Sequence, residues 1–290
     1  MLLTVFTPTY NRAYTLPRLY ESLVGQTCRD FEWLIVDDGS SDDTRSLVEG
    51  WIAEGKISIR YVYKENGGKP SAHNRGVAES FGELFFCVDS DDYLTCNAVE
   101  VIKGAWQSAD EGNVGMLLYR AYPNGNKITD ISNENVTNFT LKQGYDCYGL
   151  IGDTALVFRR DVISRFEFPT FAGEKFIPEG YVYDSIDKIG TLIVVREPIY
   201  ICEYLEDGYT ANMKRVLYNN PEGYFAYINN RLKIDCGVKA RFLDSVRYMA
   251  MAIAKGKKRK IRDAVYPTLA LMAYLPGWLL YRRDFKRYEK

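Results

Sequence analysis

The segment Leu84–Asp92, LFFCVDSDD, carries the densest group of side chains that could do chemistry. Leu84–Val88 is apolar and follows a glycine closely, which is typical of a buried strand in a parallel sheet. Asp89, Asp91 and Asp92 come directly after it. Carboxylates grouped in this way are ligands that Mg²⁺ or Mn²⁺ accepts, usually together with phosphate oxygens. The segment therefore predicts a divalent-cation site, and a solvated acidic loop that caps the next helix is the alternative interpretation.

The elements that must position these acids form four strand–helix alternations. Helical periodicity follows the first strand from Leu16, and Ser40 or Ser41 could cap the helix after the second strand. Such alternation predicts an α/β fold with an open, mostly parallel, Rossmann-like sheet and helices on both faces. The predicted strands are Leu2–Phe6, Phe31–Val36, Ile57–Tyr63 and Leu84–Val88.

Three polar loops follow the first three of these strands. Pro8–Arg12 offers a backbone turn, a Tyr ring and an Arg, which suit a base and a phosphate. Asp37 or Asp38 could accept a hydrogen bond from a uracil ring NH or a ribose hydroxyl. The segment Asn66–Lys69 contains two glycines that permit close backbone approach, and its Lys adds a cation for a diphosphate. Because polar ends of parallel strands meet at one edge, the loops predict a nucleotide site.

Four motifs then occur in one order: TVFTPTYNR, DFEWLIVDDGSSDDT, NGGKPSAHNRG and VDSDD. This arrangement resembles the nucleotide-binding half of the family 2 glycosyltransferases, which have the GT-A fold and invert the configuration of the sugar. The resemblance implies that a nucleoside-diphosphate sugar, with UDP favoured, binds here and that Asp89 and Asp91 hold Mn²⁺ or Mg²⁺. The expected nucleotide-binding residues are Pro8, Thr9, Tyr10, Arg12, Asp37, Asp38, Asn66, Lys69, Asp89 and Ser90.

A cluster of acids later in the chain contains the candidate catalytic base. In the family that the motifs resemble, a carboxylate at the head of a helix takes the proton of the acceptor hydroxyl. Asp184 stands where the family usually has Glu-Asp, although the preceding residue is Tyr183 here. Asp184 is the first choice, and Glu179 and Asp187 remain candidates.

The resemblance also suggests a domain organisation. Residues 1–110 would bind the nucleotide sugar, residues 111–218 would bind the acceptor and supply the base, and residues 219–290 would form a C-terminal helical region. The segment Glu203–Arg215 resembles a mobile loop that closes over a diphosphate, with Lys214 or Arg215 on the leaving phosphate. An ordinary surface loop is the alternative.

The C-terminal region is basic and contains an uncharged segment. From Lys239 to Lys290 there are fourteen Lys and Arg against four Asp and Glu, although the whole chain carries a net charge of −1. Ala264–Tyr281 has no charge, but prolines interrupt it and cations flank it. We expect residues 255–290 to associate with an anionic membrane surface. A helix packed on the catalytic domain and a membrane span are the alternatives.

Composition excludes several other classes of protein. A single histidine, His73, argues against zinc sites and His-dependent triads, and six scattered cysteines favour a reduced compartment. The start of the chain lacks the pattern of a signal peptide, so we expect a cytoplasmic protein, on the inner face of the plasma membrane if the C-terminal region binds it. No nucleic-acid motif accompanies the basic cluster Lys255–Arg262, KGKKRKIR. The sequence does not indicate an oligomeric state.

The expected function is therefore metal-assisted transfer of a sugar to a hydroxyl of a glycan or lipid-linked glycan acceptor, as in bacterial cell-surface polysaccharide synthesis. A catalytically degenerate protein that only binds a nucleotide sugar or glycan is the alternative from another class, and Tyr183 is the feature in its favour. A sugar nucleotidyltransferase would need a glycine-rich loop after the first strand, and TPTYNR does not provide one.

Overall fold

The computed structural model describes residues 1–203, 209–234, 237–256 and 260–289. The chain forms two compact units. The sheet unit comprises Met1–Glu167 and Ile186–Glu203, and the helical unit comprises Phe168–Ser185 and Tyr204–Lys290.

The described strands range from two residues in β5 to eleven in β11. Their bounds are β1 Leu3–Thr9, β2 Phe31–Asp37, β3 Ile59–Tyr63, β4 Leu84–Cys87, β5 Tyr93–Leu94, β6 Asn113–Ala121, β7 Asp130–Ile131, β8 Asn138–Phe139, β9 Leu150–Ile151, β10 Thr154–Arg159 and β11 Thr191–Ile201. The helices are α1 Leu16–Val24, α2 Thr44–Glu54, α3 Lys69–Glu79, α4 Ala98–Trp106, α5 Leu141–Cys147, α6 Arg160–Ile163, α7 Gly180–Ile186, α8 Tyr209–Asn219, α9 Pro221–Lys233, α10 Val238–Ala254, α11 Lys260–Asp263, α12 Pro267–Met272 and α13 Tyr274–Asp284, followed by a 3₁₀ turn at Lys286–Tyr288.

One mixed sheet organises the sheet unit. Within the described residues its strand order is β3-β2-β1-β4-β10-β6-β11-β5, and β8 also pairs with β11. The pairs β3–β2, β2–β1 and β1–β4 are parallel, whereas β10 runs antiparallel between β4 and β6. The predicted α/β class with a mostly parallel sheet is confirmed. Because β1, β2 and β4 run in one direction, their carboxyl ends lie at one edge.

The central strands explain why the predicted apolar runs are continuous. Both β1 and β2 are buried at every position, since helices cover both faces of the sheet. Leu19 of α1, Val48 of α2 and Ile102 of α4 belong to the core on one face. On the other face the α3 residue His73 packs edge-on against Phe6 and Phe85, with ring centroids 5.7 and 5.3 Å away. The prediction of helices on both faces is confirmed.

Two glycines set the position of α3 and β4. A Cβ on Gly76 would lie 2.3 Å from the Phe6 ring, so α3 packs on β1 only because that side chain is missing. A Cβ on Gly82 would lie 2.4 Å from the backbone nitrogen of Thr4. Gly82 therefore lets the chain enter β4 directly beside β1. These two contacts fix where Lys69, at the start of α3, and Asp89, after β4, can meet.

Element boundaries differ from the sequence expectation in two informative places. The first strand continues to Thr9, because its polar residues pair with the end of β2. The prediction that Ser40 or Ser41 caps the second helix is wrong, since α2 begins at Thr44 without a side-chain cap. Ser40 instead accepts a hydrogen bond from the backbone N–H of Asn11 at 2.8 Å.

The helical unit has its own apolar core. Phe225 and Ile228 of α9 pack with Tyr248 and Met249 of α10, and Phe285 closes the same cluster. Among the helices that the structure describes, none combines the length and the hydropathy needed to cross a membrane. The expected basic cluster at 255–262 lies partly outside the described residues, which stop at 256 and resume at 260.

Candidate nucleotide-binding site

The loops after β1 and β2 are held together by hydrogen bonds at the carboxyl edge of the sheet. Asn11 has a left-handed backbone, with φ of 52°, and its side-chain oxygen accepts a hydrogen bond from the Ser41 N–H at 2.8 Å. The Ala13 N–H donates to Asp42 at 3.1 Å. This bracing leaves Tyr10 half exposed, with 50% of its surface accessible. Its ring is thus presented to solvent on a fixed loop, where a planar base could stack.

Asp37 and Asp38 are both buried and accept hydrogen bonds from the protein. Asp37 accepts from the Ser40 N–H at 2.7 Å and from the Tyr61 hydroxyl at 2.5 Å. Asp38 accepts from the N–H groups of Gly67 and Gly68, at 2.9 and 2.7 Å, and lies 2.5 Å from the Lys64 ammonium. The Asp38 carboxylate therefore shapes the glycine loop that precedes α3.

Two buried polar atoms beside these loops point to a ligand. Thr9 Oγ1 and Asn66 Oδ1 have no hydrogen-bond partner within the described residues. Thr9 ends β1, and Asn66 lies directly against Gly39 in the loop after β2, since a Cβ on that glycine would approach the Asn66 nitrogen to 2.9 Å. Because a buried polar atom without a partner is costly, a bound polar molecule would stabilise both positions.

Lys69 and Asp89 bring α3 and β4 together. The Lys69 ammonium lies 2.6 Å from Asp89 Oδ1, and both side chains remain partly exposed. The Asp89 N–H donates to the buried Tyr200 hydroxyl at 3.0 Å, which fixes the backbone where β4 ends. Ser90, the next residue, is buried. A cation and a carboxylate are thereby presented side by side at the edge where the loops after β1 and β2 lie.

The surroundings shift the pKa values of the acids in the LFFCVDSDD segment in different directions. Burial tends to raise the pKa of Asp89, but the Lys69 and Arg120 cations outweigh this effect and lower it. Burial and the neighbouring charge of Asp89 raise the pKa of Asp91. The same two causes raise the pKa of Asp92 to about 7. The neighbouring cations therefore compensate the negative charge of Asp89 more fully than the charges of Asp91 and Asp92.

The donor set at this position fits a divalent cation. Asp89 and Asp91 supply hard carboxylate oxygens two residues apart, and burial together with the charge of Asp89 raises the pKa of Asp91. A bound cation would offset the repulsion between the two carboxylates. Throughout residues 1–203, 209–234, 237–256 and 260–289, no group of three His, Cys, Asp or Glu side chains is arranged to hold a metal ion. A third ligand from outside this set would therefore be needed.

Three residues that the sequence did not single out surround the acidic segment. Tyr200 and Arg120 come from β11 and β6, and the Arg120 guanidinium lies 4.2 Å from the centroid of the Tyr200 ring. Arg18 of α1 donates to the Asp91 carbonyl and pairs with Glu203 at 2.6 Å. None of them belongs to a motif, because each reaches the site only through the pairing of distant strands or the packing of α1.

The three candidate bases have different surroundings. Asp187 accepts hydrogen bonds from the N–H groups of Leu141 and Lys142, at 2.9 and 2.7 Å, and so holds the start of α5. Asp184 lies inside α7, is buried, and pairs with Arg231 at 3.0 Å. Glu179 immediately precedes α7 and is partly exposed. Glu179 is therefore the candidate at the head of a helix.

The expected mobile loop Glu203–Arg215 falls partly on residues that are not described. Residues 204–208, which include Gly208, lie outside the described part of the chain. The following residues form α8, in which Lys214 pairs with Asp284 at 2.6 Å.

The chain is similar to proteins of one family. The family model described as glycosyl transferase family 2 matches residues 4–166. An uncharacterized glycosyltransferase of Nostoc sp. is 28% identical over 173 residues, which are 57% of this chain and 53% of that protein. The chain therefore spans about half the length of this curated relative.

Two solved structures share the fold. One, Staphylococcus aureus TarS 1–349 in complex with UDP-GlcNAc, matches with a TM-score of 0.64 and 16% identity, covering 99% of this chain and 82% of that one. The other, the Pyrobaculum calidifontis mannosyltransferase PcManGT with GDP-Man and Mn²⁺, has a TM-score of 0.57 and 17% identity, covering 97% and 87%. The expected GT-A type architecture is thus confirmed.

Proposed function

Because the chain belongs to glycosyltransferase family 2, we propose that it transfers a sugar from a nucleoside-diphosphate sugar to a hydroxyl of a glycan or lipid-linked glycan, with inversion at the anomeric carbon. One observation supports this proposal above all others. Lys69 and Asp89 meet at 2.6 Å at the carboxyl edge of the sheet, beside further carboxylates. A cation for a diphosphate and oxygen ligands for a metal ion are thus adjacent.

The nucleotide would lie across the loops after β1, β2 and β3. Tyr10 would stack on the base, and the two buried atoms Thr9 Oγ1 and Asn66 Oδ1 would gain polar partners from it. Asp38 would act by holding the Gly67 and Gly68 N–H groups in place, with Asp37 supporting the adjacent turn. Pro8 and Arg12 complete the set by shaping the loop and offering a charge to phosphate. TarS was solved with UDP-GlcNAc, which makes UDP the first nucleotide to test.

Asp91 and Asp89 would hold Mn²⁺ or Mg²⁺, with Ser90 keeping their spacing and diphosphate oxygens completing the ligand set. When bound, the metal ion would neutralise negative charge on the departing diphosphate. Lys69 would add a second positive charge to the same oxygens. PcManGT was solved with Mn²⁺, which makes this the first metal to supply.

Glu179 is our preferred base, ahead of Asp184 and Asp187. Asp187 holds α5 through two backbone N–H groups, and Asp184 is buried against Arg231. Their oxygens already serve the structure of their own units. The family resemblance matches Asp184 to the usual Glu-Asp, but it also implies a base at the head of a helix, and Glu179 is the candidate that immediately precedes α7. It would take the proton of the acceptor hydroxyl as that oxygen attacks the anomeric carbon.

The experiment that tests this function is a thermal melt of the purified chain with UDP, GDP, CDP and dTDP, each with and without Mn²⁺. A ligand at a hundred times its dissociation constant stabilises by about 2.7 kcal/mol, which raises the midpoint by a few degrees. We expect a shift with one nucleotide that requires the metal. No shift with any of them would contradict the proposal. Slow hydrolysis of the matching donor without acceptor would then separate an active transferase from a degenerate binding protein.

A further inference from the structure

Helices α12 and α13 of the helical unit carry their large apolar side chains on the outside. The two helices join at Ala273, and the hydrogen bonds from Ala273 N–H to the Leu269 carbonyl and from Gly277 N–H to the Ala273 carbonyl continue across the junction. Residues four apart therefore share a face along both helices. We call the exposed members of this face the apolar strip: Leu271, Met272, Tyr274, Leu275 and Leu279, with exposed fractions of 62, 73, 50, 66 and 57%.

The inward face of α12 and of the first turn of α13 is built from small residues, and Leu280 and Tyr281 further along α13 pack partly buried against the same core. Ala270 and Ala273 are buried, and a Cβ on Gly277 would lie 2.8 Å from the Met249 side chain of α10. This close contact holds α13 against α10 and leaves no room for a large side chain between them. The helices are thus fixed in the orientation that turns the apolar strip outward, which is the reverse of an ordinary surface helix.

Cations follow the apolar strip along α13. The Arg282 guanidinium lies 4.8 Å from the centroid of the Trp278 ring, and Lys286 and Arg287 are exposed in the next turn. Two acids lie nearby. Asp284 is buried and paired with both Lys214 and Arg283, whereas Glu289 is exposed and accepts a hydrogen bond from the Tyr281 hydroxyl at 2.5 Å. Because the exposed cations Arg282, Arg283, Lys286 and Arg287 outnumber this acid, the net exposed charge beside the strip is positive.

From this arrangement we propose that α12 and α13 lie on an anionic membrane surface. The apolar strip enters the boundary between head groups and acyl chains, and the cations of α13 meet lipid phosphates. An apolar face bordered by Arg and Lys with a Trp at its edge is the pattern that binds in the plane of an interface. Positive side chains complement anionic head groups, whereas a purely apolar partner would leave them unpaired. This proposal does not depend on the proposed reaction.

The test is co-sedimentation of the full chain with vesicles of phosphatidylcholine alone and of phosphatidylcholine mixed with phosphatidylglycerol. We expect binding to the mixed vesicles, weakened by salt, and little binding to phosphatidylcholine alone. The double variant Leu275→Ser/Leu279→Ser should weaken binding by about 100-fold, since each side chain would lose most of its apolar burial. Lys286→Gln/Arg287→Gln should weaken it by about 30-fold.

A matched control removes two apolar side chains that are equally exposed on another helix of the same unit. Val238 and Leu243 of α10 have exposed fractions of 79 and 46%, so Val238→Ser/Leu243→Ser should bind vesicles like the unchanged chain. Equal loss in this control, or no vesicle binding by the unchanged chain, would overturn the proposal. A dimer in the absence of lipid that Leu275→Ser/Leu279→Ser dissociates would also overturn it, because the strip would then be covered by a second copy.

Discussion

The ammonium of Lys69 lies 2.6 Å from the carboxylate of Asp89, and this ion pair joins the first turn of α3 to the end of β4. A diphosphate that enters the site would offer Lys69 a second anionic partner. Because the ion pair already holds the Lys69 side chain in place, the binding of the diphosphate would cost little further side-chain conformational entropy.

The variant Lys69→Met should weaken the binding of the diphosphate part of the nucleotide and leave the binding of the nucleoside unchanged. A hydrogen bond to a charged group contributes about 1.5–3 kcal/mol, so we expect UDP to bind about 10- to 100-fold more weakly while uridine binding is unchanged. Calorimetry with both ligands measures the difference. The control is Lys56→Met, since Lys56 is exposed and pairs only with Glu54 among the ion pairs of the described residues. Equal weakening of uridine would show that the loop itself had collapsed.

Asp91 should be needed for metal-dependent turnover. Asp91→Asn keeps the size of the side chain but removes its negative charge. In the unchanged protein, burial and the charge of Asp89 raise the pKa of the Asp91 carboxyl. We expect transfer with Mn²⁺ to fall by at least 100-fold, or about 2.7 kcal/mol in activation free energy, and a chelator to produce a similar loss in the unchanged protein. Glu111→Gln removes an exposed carboxylate of the sheet unit and serves as the control. Full activity of Asp91→Asn would remove this residue from the metal site.

The carboxyl edge of the sheet could be predicted because its strands are continuous apolar runs. The strand Leu84–Cys87 ends just before the acids, as the sequence indicates. The continuation of β1 to Thr9 could not be predicted, since its final residues are polar and become extended only by pairing with β2. Local pattern reports burial well, but pairing with another strand is a property of the tertiary structure.

The roles of charged residues were harder to predict than their positions. The sequence predicts that Asp38 contacts the nucleotide, and no local pattern indicates that the N–H groups of Gly67 and Gly68 bind it. Arg231 lies 47 residues after Asp184, so their ion pair could not be foreseen either. The outward direction of Leu275 likewise depends on the packing of Gly277 against Met249. Each of these facts needs the fold, because each joins residues that are distant in sequence.

The three candidate bases can be separated by measuring turnover and stability together. Glu179→Gln should lower kcat by at least about 100-fold and leave donor affinity unchanged, because general-base catalysis contributes about 10²–10⁴. Asp187→Asn should lower the free energy of unfolding by about 1 kcal/mol, because the first N–H groups of α5 lose a charged acceptor.

Asp184→Asn should act mainly on stability as well. It should lower the free energy of unfolding by about 1–3 kcal/mol, since the largely buried Arg231 loses one ion-pair partner and keeps the other, Asp244, at 3.1 Å. Urea unfolding and steady-state kinetics on all three variants give both quantities. A larger loss of kcat in Asp184→Asn than in Glu179→Gln, at unchanged stability, would return the base role to Asp184.

His73 should make the protein less stable in mild acid. It is the single histidine of the chain, it is buried between the Phe6 and Phe85 rings, and burial lowers its pKa from 6.5 to about 3. The folded state keeps His73 neutral over the range in which the unfolded chain takes up a proton. His73 therefore makes its full contribution to the free energy of unfolding above pH 6.5, and this contribution is lost as the pH falls below that value.

The size of this effect follows from the two pKa values. Between pH 7.5 and 5.5 the protonation of His73 in the unfolded chain should lower the free energy of unfolding by about 1.4 kcal/mol. One pH unit below the unfolded pKa, the protonated form of the unfolded chain exceeds the neutral form about tenfold. Urea unfolding of the unchanged chain and of His73→Leu at both pH values measures it. Since leucine does not titrate, the variant should lose about 1.4 kcal/mol less than the unchanged chain between the two pH values. Equal losses in both proteins would mean that His73 takes up a proton in the folded state as well and that the Phe6 and Phe85 rings do not exclude water from it.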